Sequence, residues 1–121
     1  MTVEPDRIIS GGKVCPDAVV RFNCVAYNVR VLQWLNGTSN QIAQFTNQDM
    51  PSTEPEVIGP FSVYLNSSEN DGQNNLNVTS TLVGPASAFQ SVDRIACPDN
   101  TVEPLTLNFT SEFNLSLFSL I

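Results

Sequence analysis

The chain has no histidine, and that absence removes much of enzyme chemistry. Ser-His-Asp and Cys-His activation both need an imidazole, which is also the commonest zinc ligand. Basic residues are scarce too: Arg7, Lys13, Arg21, Arg30 and Arg94 stand against 12 Asp and Glu, giving a net charge of −7. Spread singly, they form no cluster able to neutralise a phosphate backbone, so nucleic acid is excluded as a partner and an anionic membrane surface is disfavoured. The carboxylates are equally dispersed and offer no catalytic pair. Gly11-Gly12-Lys13 lacks the second half of a phosphate loop and the helix that should follow it. The stretch "ENDGQNN" reads as a hairpin-style loop before an ion site. No enzyme activity, catalytic residue, metal or cofactor is therefore expected.

Charge of either sign is thin, at 14% of residues against the usual ~25%. Asn, Ser, Thr and Gln fill the gap, so the surface is polar rather than ionic. Helix signals are nearly missing: no 3.6-residue apolar period is sustained, and eight prolines interrupt the chain. Long apolar runs are missing as well. The C-terminal "FNLSLFSLI" falls short of the ~20 residues that cross a bilayer, so no direct membrane insertion is expected from this segment. The N-terminal "MTVEPDRIIS" has no apolar region of the kind a signal peptide needs. These ends suggest a piece of a longer protein. Residues 1–7 are expected to be an N-terminal extension, 8–110 the domain, and 111–121 a linker or the start of a truncated anchor. Deleting 114–121 should then leave the melting temperature nearly unchanged.

What is present is strand periodicity within 121 residues, the length of one domain with room for a real core. "AVVRFNCVA" places Val20, Phe22, Cys24 and Ala26 on one face and leaves Arg21 on the other. "RVLQWLN" puts Leu32 and Trp34 together, and "QIAQFTN" follows as a weaker strand. After the loop "QDMPSTEPE" comes "PFSVYLN", then the polar loop "SSENDGQNN". "LNVTSTLV" aligns Leu76, Val78, Ser80 and Leu82, with Gly84-Pro85 closing it. "SVDRIAC" pairs Ile95 with Cys97, and "EPLTLNF" aligns Leu105, Leu107 and Phe109. Short alternating strands separated by turns describe an all-β fold, an antiparallel two-sheet β-sandwich or a barrel.

Two further features bear on compartment. Asn36, Asn66, Asn77, Asn108 and Asn114 each open an N-glycosylation sequon, and three cysteines accompany them. Together they point to the secretory route and an extracellular or cell-surface location. Cys24 and Cys97 are either bridged or reduced core thiols. Cys15, the odd cysteine, has three readings: an intermolecular bond, a partner outside this chain, or a free thiol. Trp34 is either core or a ligand platform.

From "VRFNC" through "LQW" to "RIAC", residues 8–110 resemble the immunoglobulin-like fold. "KVCPDAVVRFNCVA" is similar to the opening of such modules in invertebrate cell-surface proteins, and "NVTSTL" to their fifth strand. The long Cys24–Cys97 separation resembles the variable type. Ile95 stands where that pattern has tyrosine, and Asp17 where the turn usually has glycine. The resemblance implies an Ig-like β-sandwich with a Cys24–Cys97 disulfide and Trp34 packed in the core beside it. It also implies a non-catalytic recognition or adhesion module of a surface or secreted receptor, engaging a protein or glycan ligand. A structural spacer of a larger ectodomain, or a secreted carbohydrate-binding or inhibitory β-sandwich, are the alternatives. For the recognition module, the loops "AYNVR" and "PDNTVEP" should meet at a sequon-free end. Tyr27 and Arg30 would anchor a partner there, and Asp99 and Glu103 would steer it.

Overall fold

The computed structural model describes residues 1–5, 8, 12–37, 40–70, 76–90, 92, 94–98, 100–102 and 108–109. The chain folds into two antiparallel sheets facing each other across one core. The first contains β1 (Thr2–Glu4), β3 (Val19–Val29), β6 (Glu56–Ile58), β7 (Phe61–Asn70) and β8 (Leu76–Pro85), in the order β1-β3-β8-β7-β6. The second contains β4 (Leu32–Asn36), β5 (Asn40–Phe45), β9 (Ile95–Cys97) and β10 (Asn100–Val102), in the order β10-β9-β4-β5. A short parallel pair joins β2 (Lys13–Val14) to β11 (Asn108–Phe109). A 3-10 turn at Ala86–Phe89 links β8 toward β9.

Alternation explains why these segments become strands. Along β3, Val20, Phe22, Cys24 and Ala26 are buried while Val19, Arg21 and Val25 face out. Along β8, Leu76, Val78, Ser80 and Leu82 point inward. β4 buries Leu32 and Trp34, and β9 buries Ile95 and Cys97. The two inner faces supply most of the core. Phe89 completes it from the 3-10 turn, lying 5.3 Å from Phe22 and 5.2 Å from Phe61 in tilted ring pairs. Such tilted pairs add to the value of simple burial. Gly84 sits in β8 opposite Val20. A Cβ there would meet the Phe61 ring at 3.1 Å and the Phe89 ring at 3.3 Å. Glycine at this position makes room for the aromatic cluster.

Several boundaries differ from the expectation, each because backbone pairing extends further than side-chain pattern does. Residues 1–7, read as an extension, include β1, which pairs with β3 and buries Val3. Ser67–Asn70, read as loop, continue β7 opposite Leu76–Thr79. These four are polar on both faces, so alternation could not reveal them. The expected loop "AYNVR" is mostly strand: β3 runs to Val29 and leaves only Arg30 and Val31 before β4. "PDNTVEP" likewise loses Asn100–Val102 to β10, which turns back directly after Cys97. The predicted last strand is described only at Asn108–Phe109, and Leu105, Leu107 and the segment 111–121 lie outside the described residues.

Candidate interaction surfaces

The scaffold is braced across its core. Cys24 of β3 and Cys97 of β9 form a disulfide between the two sheets, with Cα atoms 6.6 Å apart and a sequence separation of 73. Trp34 on β4 is fully buried, so it is core and not an exposed ligand platform. Its indole N–H donates to Ser80 Oγ at 2.9 Å, and Ser80 Oγ donates in turn to the Tyr64 carbonyl at 2.6 Å. Ser80 is the cross-strand partner of Cys24, so the tryptophan reaches over the core to the residue beside the disulfide. Sequence parity already turned Ser80 inward between Val78 and Leu82. Its job was missed, although the signal was there: one buried indole N–H needs one acceptor.

At one end of the sandwich, β3 carries a bulge. Its register with β8 slips between Ala26 and Val29, and Asn28 adopts φ 57°. Asparagine tolerates that left-handed conformation better than most residues. The Asn28 N–H donates to Asn77 Oδ1 at 3.2 Å. The bulge leaves Tyr27 68% exposed, and Arg30 is exposed in the turn that follows. Antiparallel pairing of Leu35 with Ala96 brings the turn after Cys97 toward this same end. Tyr27 and Arg30 therefore share one end of the molecule. Asp99 and Glu103, expected beside them, lie outside the described residues.

The sequons distribute unevenly. Asn36 ends β4, part-exposed, just before Gly37, whose φ of 74° turns the chain toward β5. Asn66 is exposed on β7, level with the middle of the sheet. Asn77 belongs by parity to the outer face. Its bond to Asn28 nevertheless sets it beside the Tyr27 end, which is not free of sequons. Asn108 is described only as backbone of β11, and Asn114 lies outside the described residues. Cys15 is an exposed free thiol at the first position of the turn Cys15–Ala18. That turn is clamped to the 3-10 segment by Ser87 N–H to Pro16 O (2.8 Å) and Ala86 N–H to Ala18 O (2.9 Å).

The two outer faces are largely polar, with Arg21 of β3 opposite Glu4 of β1 on the first. On the second sheet, Gln33, Gln44, Leu35, Gln41 and Ala96 face outward, and the Gln33 and Gln41 side chains are hydrogen-bonded to each other. On the first, Asn66 Nδ2 donates to Thr81 Oγ1 at 2.8 Å, Thr81 Oγ1 donates to Asn23 Oδ1 at 2.9 Å, and the Ser67 and Thr79 hydroxyls meet at 2.6 Å. Among the described residues, no three His, Cys, Asp or Glu side chains gather into a metal-holding group, and no helix is long and apolar enough to cross a membrane. No protein-family model, no curated protein and no solved structure matches the chain.

Proposed function

We propose that this chain is an Ig-like recognition or adhesion module, of variable type, belonging to a surface or secreted protein. Three features of the scaffold support the fold assignment: a disulfide joining the two sheets, a buried tryptophan on the intervening strand, and a parallel pairing of β2, from early in the chain, with β11, from late in it. The disulfide and the sequons favour an oxidising, extracellular setting. The observation that carries the functional reading is the projection of Tyr27 and Arg30 from a bulged strand end of a cross-braced frame. Tyrosine and arginine are enriched at interface hot spots, and a rigid frame lowers the ordering cost of binding. The partner is a protein or glycan ligand at the cell surface.

The test uses the protein secreted from eukaryotic cells and displayed multivalently on beads against a panel of cell lines. Binding should fall at least tenfold in Tyr27→Ala and in Arg30→Ala, each having the native melting temperature. Full binding by both variants, with loss when a glycan is added to the outer face of either sheet, would move the site away from this end. The spacer reading draws on one observation, the Asn77 sequon beside Asn28. Full occupancy of Asn77 together with no binding in any display format would favour a glycan-shielded spacer instead.

A further inference from the structure

Beside the middle of β7, on the outer face of the first sheet, lies an open groove of about 430 Å³ lined by Pro51, Ser52, Thr53, Tyr64 and Asn66. None of these described lining residues is charged, so the wall they form suits a neutral ligand. Its wall is held in place, because the Ser52 N–H donates to the Leu65 carbonyl at 3.1 Å. Asn66 opens the sequon Asn66-Ser67-Ser68 and falls where the β7–β8 register slips between Leu65 and Ser67. Bulges of this kind re-aim side chains. Tyr64 is the cross-strand partner of Thr81, and the Asn66 amide donates to the hydroxyl of that same Thr81. The tyrosine ring and the sequon asparagine thus share one face, two residues apart, with the groove beside them.

We propose that Asn66 carries an N-linked saccharide whose first N-acetylglucosamine lies in this groove against Tyr64. The inference rests on the extracellular reading above. In the attachment step, Nδ2 bonds to C1 of the sugar and the C1–O bond to a lipid-diphosphate donor breaks. The diphosphate leaves with the electron pair, and one Nδ2 proton passes to a base of the transferase. The linked amide keeps its other N–H, so the Thr81 bond and the sugar are compatible. A pyranose ring presents an apolar C–H face to the Tyr64 ring and to Pro51, while its hydroxyl and acetamido groups meet Ser52 and Thr53.

The experiment takes protein secreted from glycosylating cells, maps glycopeptides, and compares melting temperatures. Asn66 should be occupied. Ser68→Ala, which removes the sequon but keeps the asparagine, should lower the melting temperature by about 3–6 °C, whereas trimming to a single N-acetylglucosamine should not. Tyr64→Thr should abolish that difference and Tyr64→Phe should preserve it. Proton resonances of the first sugar should be shifted upfield by the ring in the native protein and not in Tyr64→Thr. Occupancy of Asn36 and Asn77 with Asn66 bare would overturn this proposal and leave the extracellular reading standing. No occupied sequon in secreted protein would overturn both. An occupied Asn66 whose stabilisation and sugar resonances ignore Tyr64 would remove the cradle.

Discussion

In the first sheet, β3 and β8 lie side by side over most of their 11 and 10 residues. In the second, β9 meets β4 through two paired residues and β10 through three. The first sheet holds itself together by long backbone ladders with alternating burial. The second depends on ties across the core, namely the Cys24–Cys97 bond and the reach of Trp34 to Ser80. Short strands cannot supply enough pairing to fix their own position, so side chains from the facing sheet must do it. Perturbing those ties should injure the second sheet before the first.

Removing the disulfide should have the largest effect. Releasing a loop of 73 residues costs about 4–5 kcal/mol in the chain-entropy model, a large share of a typical domain stability of roughly 5–15 kcal/mol. Hydrogen exchange on Cys97→Ala should show protection lost in β9 and β10 while β3 and β8 retain more. Equal loss in all four strands would mean that the sheets unfold as one unit and that the second does not depend more on the ties across the core. Trp34→Ala should follow, at about 3–5 kcal/mol through the cavity left behind. The native protein's tryptophan emission should be blue-shifted and poorly quenched, and a red-shifted spectrum would contradict its burial. Ser80→Ala leaves the indole N–H without its acceptor and should cost about 1–3 kcal/mol by urea titration. Because it cuts the tie without opening a large cavity, it separates hydrogen bonding from packing. Gly84→Ala should be the mildest, at about 1 kcal/mol of destabilisation, since the Phe61 and Phe89 rings can each give a few tenths of an ångström. No change, or a gain, would show that the aromatic cluster on the first sheet is loosely packed.

The strands with clear alternation were legible because burial writes itself into every second residue. Val20, Phe22, Cys24, Leu32, Trp34, Leu76, Val78, Leu82, Ile95 and Cys97 are all inside as their parity requires. β1 escaped because a three-residue edge strand with one buried valine carries too little pattern. Phe89 and Ile8 are fully buried yet belong to no alternating run, so nothing local marked them as core. The end bearing Tyr27 and Arg30 was half legible: residue type nominated the pair, but the expected loop proved to be a bulged strand with a sequon asparagine bonded to its backbone.

Sequence by itself determined the all-β class, the inward sets of β3 and β8, and a polar, sequon-bearing composition with little charge, because all three are properties of side-chain type and of a fixed two-residue spacing. Tertiary structure decided the rest. It set which strands extend past their pattern, where the ladders slip, that Ser80 answers Trp34, and that Tyr64 and Asn66 flank one threonine. Those outcomes depend on distances between residues remote in the chain, and the periodicity of a single strand carries no information about its neighbour's register.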